Sequence, residues 1–424
     1  MPPQDQVFWY LQRDKVAPCN QDMHADVVIV GGGMSGLSAA QAWQKRGKKV
    51  VLLERFYCGA GATGKSSGFI TPNAELSLSE MTKRYTSDGA LQIWNMISRG
   101  VENIRSNIVD YRFDCDYQLQ DTIILANKAK DLKDLQIEHE NLEKFGYKTK
   151  FYTKDTIEEY VGSKNYFGGI VYENSFGIDG YAYCQEMKRH LQSLGVLIFE
   201  ETPVISIQDH LVITAHAKIT ADYIVVCTDR FMPELGLLEK EVYHVQTFLM
   251  ASQVLSDEQI KIIFPHKKFM AWDTDFIYQY FRVTGDNRLL LGGGDLSSSY
   301  ATQPIHDYQK IVDKLTQYIS EKFPELEIVF EQMWPGLIGI SKDIAPLVGQ
   351  DKDKPYLFYI ASSTGLPIAA ALGCYSAENL LDGNNYLDPY FSPYRKFPVS
   401  GIVQSILGNK ASFILSNLIK KNVP

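Results

Sequence analysis

Apolar positions along this chain fall into short continuous runs of strand length, separated by polar segments with helical spacing. Asp26 to Val30 is an apolar, β-branched run, Leu37 to Lys45 has helical composition, and Val50 to Leu53 is a second strand-like run. Residues 78–108 and 128–146 read as polar amphipathic helices with solvated charges, and Gly180 to Leu194 as a helix closed by Gly195. Val196–Glu200 and Val204–Ile207 read as paired strands, followed by a run at His210–Ala215 and a buried strand at Tyr223–Thr228. Residues 243–295 hold several strand-like runs. The clearest, Phe276–Val283 and Leu289–Leu291, flank the polar turn Thr284-Gly-Asp-Asn287 and predict a hairpin. A helix is expected over His306–Phe323, then a last strand at Tyr356–Ile360, a small-residue turn Ser362–Gly365 and an Ala-rich helix to Leu381. Residues 1–24 read as an irregular lead-in whose trio Phe8-Trp9-Tyr10 packs on a domain surface. A nucleotide-type unit thus opens the chain, antiparallel strands fill its middle, and an α/β pattern returns at its end.

Composition narrows the class. With 45% hydrophobic residues, a net charge of −8 and no basic stripe, the chain reads as an ordinary globular protein without nucleic acid as a partner. Six scattered cysteines form no C-x-x-C pair, which fits reduced thiols in a cytoplasmic protein. The opening residues carry no apolar signal segment and no run approaches a membrane span, so membrane contact is not expected. The eight histidines have no metal-ligand or triad spacing, so no metal is expected. Oligomeric state is left open.

The sharpest signal is Gly31, Gly33 and Gly36 between the first strand and helix, with an acid, Glu54, ending the second strand. The first glycine allows a tight turn, the second a close backbone approach to a pyrophosphate, and the third close helix–strand packing. The helix N-terminus offers N–H groups to phosphates, and the acid suits a ribose with a free 2′-hydroxyl, so FAD or NAD over NADP. The loop Cys58-Gly-Ala-Gly-Ala-Thr-Gly-Lys-Ser-Ser-Gly-Phe69 follows directly and suits a cofactor contact. A second glycine-rich strand-to-helix junction, at 360–373, would stabilise negative charge on a reduced flavin.

Several motifs together resemble the D-amino-acid-oxidase-type FAD oxidoreductases, most of all the gamma-glutamylputrescine oxidase branch. The resemblance runs from about Phe8 to Phe397. It rests on the Ala25–Glu54 fingerprint, Gly59-Ala-Gly-Ala-Thr-Gly-Lys-Ser-Ser-Gly68, Tyr280-Phe-Arg-Val-Thr-Gly-Asp-Asn-Arg-Leu-Leu-Leu-Gly-Gly293 and Trp334-Pro-Gly-Leu-Ile-Gly-Ile-Ser-Lys-Asp-Ile-Ala-Pro-Leu-Val-Gly349. It implies an α/β, two-domain architecture: a Rossmann-like FAD domain from residues 1–110, 176–235 and 333–424, and a substrate domain with a largely antiparallel sheet from 111–175 and 236–332. It also implies cofactor roles. Gly31, Gly33, Ser35 and Gly36 would hold the pyrophosphate, and Glu54 with Arg55 the adenosine side. Thr63, Gly64, Ser67 and Gly68 would line phosphates and flavin, Val204 would meet adenine, and Thr364, Gly365 and Leu366 would face the flavin pyrimidine. Thr228 and Gly336 complete the set.

Departures from the family pattern refine the expectation. The loop offers Lys65 and Ser66 where a covalent His would stand, and 361–367 holds no Cys, so the FAD is expected to be non-covalent. Ile338 occupies the place of a carboxylate-binding Arg, which favours an amine without an α-carboxylate. Ser363-Thr364-Gly365 and Cys227-Thr-Asp-Arg230 replace the usual G-H-G and A-T-N-A. The expected activity is oxidation of a primary or secondary amine by hydride transfer to flavin, with O2 as acceptor. Arg282 is a candidate for reaching substrate or flavin, and Tyr280 and Trp334 are candidates for an aromatic wall around the amine. Three alternatives stay open: a dehydrogenase passing electrons to a quinone or other carrier, a non-catalytic flavin-binding protein, and an NAD-linked dehydrogenase. The segment Gln404–Lys421 reads as a tail helix packed on the FAD domain, with a membrane-surface helix as the alternative.

Overall fold

The computed structural model describes residues 7–10, 14–275, 277–294, 300–301 and 309–422, with 417–422 described by backbone alone. Expectations for Phe276, for residues 306–308 and for the side chains of 417–422 lie outside the described residues. Two eight-stranded sheets carry the fold. In the first, β1 (Met23–Val30) lies parallel to β2 (Val50–Leu53) on one side and to Lys218–Val226 on the other. Leu197–Phe199 extends the sheet beyond β2, and Leu357–Ala361 lies parallel to the C-terminal half of Lys218–Val226. Val27, Val28 and Ile29 have no solvent exposure, as expected of a parallel strand covered on both faces. The helix α1 (Met34–Gln44) follows β1 and packs beside the helix Leu366–Asp382, which in turn meets Leu78–Tyr111.

The second sheet runs Phe330–Ser341, Val242–Val254, Arg288–Gly293, Tyr280–Val283, Met270–Asp273, Thr122–Leu125, Gly168–Tyr172, Thr149–Thr153. Its pairings are antiparallel except that Met270–Asp273 runs parallel to Thr122–Leu125. The expected hairpin is present: Tyr280–Val283 pairs with Arg288–Gly293, and the Thr284 N–H donates to Arg288 O at 2.9 Å. A small sheet of Phe69–Ile70, Phe176–Gly177 and Gln118–Leu119 joins the two halves.

Three local expectations are corrected. Val196–Glu200 and Val204–Ile207 do not pair with each other. Leu197–Phe199 is drawn to the open edge of β2, and Val204–Gln208 instead makes a hairpin with Leu211–Thr214 around Asp209, whose φ is +50°. The strand Phe330–Ser341 pairs along its length with Val242–Val254. Trp9 lies beneath the glycine-rich loop and not on a surface: it is buried, and its Nε1 donates to Gly64 O. The tail helix Gly401–Asn422 meets the second sheet, where Phe413 packs against Tyr243 and Val245, rather than the nucleotide sheet. No helix among the described residues is long and apolar enough to cross a membrane.

Candidate functional site

The chain turns sharply at the end of β1. Gly31 has φ +111°, and its N–H donates to Leu53 O at 2.8 Å. A Cβ on Gly36 would stand 1.9 Å from Gly31 O, so only glycine lets α1 start against this turn. The helix begins without a side-chain cap and without an acid in its first turn, which leaves an end suited to an anion. Glu54 accepts from the Gly32 N–H at 2.7 Å and the Phe56 N–H at 2.8 Å, tying the glycine turn to the end of β2. Burial raises its pKa above the usual carboxylate range, and the two N–H bonds oppose that rise.

The loop from Gly59 to Gly68 is held from behind. Thr63 Oγ1 accepts the Met34 N–H at 3.0 Å, joining the loop to the start of α1. Tyr10 donates its hydroxyl to Ala60 O, and Trp334 donates its Nε1–H to Lys65 O at 3.0 Å. Arg282 has no solvent exposure; its Nε donates to Ser67 O at 2.6 Å and its Nη2 to Ile178 O at 2.8 Å. Asp116 lies 3.8 Å from its guanidinium. Arg282 and Trp334 therefore stand behind the loop and fix its backbone, and neither lines the cavity described next. Both point inward because the loop's unpaired carbonyls offer buried partners there.

A cavity of about 1810 Å³ runs between the two sheets. Gly31, Gly33, Ser35, Glu54, Arg55, Thr63, Ser67, Val204, Thr228, Gly336, Thr364, Gly365, Leu366 and Tyr280 all line it. Gly36, Gly64 and Gly68 lie just behind: a Cβ on Gly68 would meet Ile178 O at 1.8 Å, and one on Gly64 would meet Gly59 O at 2.2 Å. The helix Leu366–Asp382 starts at the cavity with no side-chain cap and no acid in its first turn. Two helix N-termini whose N-cap residues are glycines thus face one chamber. Thr228 adds a buried hydroxyl without a partner on the same wall. An extended dinucleotide carrying phosphates at one end and an electron-rich ring at the other fits this donor set.

Asp229, which the sequence marked as a charge near the cofactor path, is half-buried on the cavity wall. Its carboxylate accepts from the Ser362 N–H at 2.9 Å and from the Gly339 N–H at 2.6 Å. It therefore joins the turn after Lys218–Val226 to both the strand Phe330–Ser341 and the junction before Leu366.

Beyond this tract the wall becomes aromatic. Phe69 stacks on Trp272 with centroids 5.9 Å apart and meets Tyr280 edge-on at 6.0 Å; Tyr278 lies 6.0 Å from Trp272 and 5.9 Å from Tyr280. The Tyr278 hydroxyl donates to Glu75 at 2.7 Å. Burial pushes Tyr280 up to about 12, so its phenol stays protonated at neutral pH. Val245, Leu337, Ile338 and Ile340 add aliphatic side chains to the lining. The arginines on the cavity wall are engaged: Arg55 with Glu234 at 3.1 Å, Arg84 with Asp343, and Arg230 over the Phe231 ring at 3.8 Å. The sequence reading named Tyr280 but missed Phe69, Trp272 and Tyr278. Tyr278 lies two positions before Tyr280, just ahead of the strand Tyr280–Val283 and inside the run Phe276–Val283 expected as a strand. Trp272 comes opposite Tyr280 only through long-range pairing.

A family model described as FAD dependent oxidoreductase matches residues 26–379. The gamma-glutamylputrescine oxidoreductase of Escherichia coli is 27% identical over 405 residues, covering 92% of each chain. A probable oxidoreductase OrdL of Haemophilus influenzae is 27% identical, covering 87% of this chain and 86% of its own. Among solved structures, glycine oxidase from Geobacillus kaustophilus superposes with a TM-score of 0.75 at 19% identity, covering 88% of this chain and 99% of its own. The L-proline dehydrogenase from P. horikoshii gives the same TM-score at 18% identity, covering 88% of this chain and 98% of its own.

Proposed function

The chain belongs to the DAO family of FAD dependent oxidoreductases, and from that premise we propose that it oxidises the C–N bond of a primary or secondary amine lacking an α-carboxylate, with dioxygen as acceptor. Its cofactor is FAD, and its substrates are of the amine or amino-acid class. The finer reading, an amine without a carboxylate, rests on one observation: the chamber wall is aromatic at Phe69, Trp272, Tyr278 and Tyr280 and aliphatic at Ile338. Ring faces attract an ammonium group on its way in. Among the described residues the arginines on the cavity wall are engaged, so a carboxylate beside Ile338 would lose its water with none of these guanidinium groups free to replace it.

When bound, FAD supplies the hydride acceptor for the carbon next to nitrogen. The protein's part is to hold, orient and dry the reactants. In this reading the N–H groups of Gly33 and Ser35 would hold the pyrophosphate, Glu54 would accept from the ribose, Thr228 would donate to the ring system, and the helix end at Thr364–Leu366 would stabilise negative charge on its pyrimidine side. Glu75 on the cavity wall accepts a hydrogen bond from Tyr278 and would favour a cationic amine there. The apolar rings then favour loss of its proton before oxidation, because a neutral amine is less costly to desolvate. Non-covalent binding follows from Lys65 and Ser66 in the loop and from Ala361-Ser-Ser before the helix, where no His or Cys is offered.

The test is peroxide release by the holoprotein with a panel of alkylamines, diamines and N-methylamines set beside glycine and D-alanine. Peroxide in proportion to amine consumed is expected. Reduction of an artificial carrier without peroxide would replace dioxygen in this reading. Faster turnover of glycine or D-alanine would overturn the inference from Ile338.

A further inference from the structure

The family match ends at residue 379, yet residues well beyond it come back to the cavity: Phe397, Pro398, Phe413 and Ser416 all line it. The return is built into the chain. The helix Gly401–Asn422 is broken at Gly408, whose φ is +76° with ψ 167°, and Gln404 donates to the Asn409 side chain across the break at 2.8 Å. Before the break, Ile402 and Ile406 are more than three-quarters or about three-quarters exposed, at 75% and 78%, so this half has little hold on the body. After it, Phe413 is buried at 5% exposure.

Phe413 lands on a defined face. In the pairing of Val242–Val254 with Phe330–Ser341, Tyr243 stands opposite Ile340, Val245 opposite Ile338 and Thr247 opposite Gly336. Alternation puts these side chains on one face of the sheet, and Val245, Thr247, Gly336, Ile338 and Ile340 line the cavity. Phe413 shares one hydrophobic cluster with Val245, Ile338 and Ile340. Its ring meets Tyr243 edge-on at 5.8 Å and Tyr300 at 5.7 Å.

We infer that this C-terminal segment supplies an end wall of the substrate chamber, and that Phe413 sets the size of an uncharged, apolar group the amine carries beside Ile338. The inference rests on the reading of the chamber as an amine site. It adds the substrate's other end: an aliphatic or aromatic substituent in place of a carboxylate or second cation, since Phe413, Ile338, Ile340 and Val245 offer no polar partner to either. It also makes the tail part of the site.

The experiment compares holoprotein carrying Phe413→Ala, Phe413→Leu and Gly408→Ala with the unmodified chain. Space around the Gly408 Cβ is open, so Gly408→Ala acts through backbone strain alone. Two readouts are taken: kcat/KM along a series of straight and branched alkylamines, and quenching of bound-flavin fluorescence by iodide, which needs no turnover. Phe413→Ala is expected to move the preference toward bulkier amines by about tenfold in relative kcat/KM, the usual worth of a methylene or two in a pocket, with Phe413→Leu between. Both Phe413→Ala and Gly408→Ala are expected to increase quenching. Unchanged selectivity together with unchanged quenching in Phe413→Ala would overturn the inference. If no variant turns over any amine, the proposed function fails, and the quenching comparison still decides whether the tail walls the cavity.

Discussion

Arg282 shows how a residue in a site-like motif can serve the site without entering it. Two of its nitrogens satisfy Ser67 O and Ile178 O in a dry setting. Arg282→Met keeps much of the bulk but strands both carbonyls, at about 1–3 kcal/mol for each group left unpaired. Thermal unfolding followed by flavin fluorescence is expected to shift several degrees downward, with flavin lost more readily on dilution. An unchanged melting curve with turnover abolished would instead make it a catalytic residue. Asp179 carries a pH dependence. It caps the helix Gly180–Ser193 through the Tyr181 and Ala182 N–H groups, and burial, outweighing those two bonds, lifts its pKa from 3.8 to about 7. Between those values the folded chain holds a proton that the unfolded chain has released, so this group's contribution to stability declines as pH rises from about 4 to about 7 and is constant above. Asp179→Asn keeps a good cap and removes the titration, so its melting temperature should fall less over that window. Equal slopes in the two proteins would contradict the assignment. Residue types in the fingerprint were legible because their jobs are local. The destinations of Arg282 and Trp334 were not, because carbonyls more than a hundred residues away decide them.

At the scale of elements, β1, α1 and β2 were readable from period and glycine spacing alone, as were the hairpin at Thr284–Asn287 and the strand–helix return at 357–382. Each is closed by short-range hydrogen bonds or a continuous apolar run. Strand partners were less readable: 197–199 and 204–208 are neighbours in sequence, yet one joins β2 and the other turns back on 211–214. Edge availability, which no local pattern encodes, decides between them. Asp229 is the joint between elements. Its carboxylate holds N–H groups of Gly339 and Ser362, from two different parts of the chain, and burial raises its pKa despite those bonds. Asp229→Ala removes the acceptor of both N–H groups, so a loss of about 1–3 kcal/mol in unfolding free energy is expected. Denaturant unfolding measures it. Near-normal stability would mean that the two sheets do not depend on this joint.

At the scale of the molecule, one cavity receives residues from the first thirty positions, the central strands and the tail. The sequence gives its nucleotide half and, through resemblance, its chemistry. The closure by Phe413 depends on a break at Gly408 and a return across the second sheet, and composition of the tail alone favoured a different packing partner. The central claim, a flavin site for an amine without a carboxylate, is tested most directly by the visible spectrum of the purified holoprotein under anaerobic titration. Alkylamines and N-methylamines are expected to bleach the flavin band near about 450 nm, while glycine and D-alanine leave it in place. Bleaching by glycine or D-alanine, with the amines inert, would contradict the account.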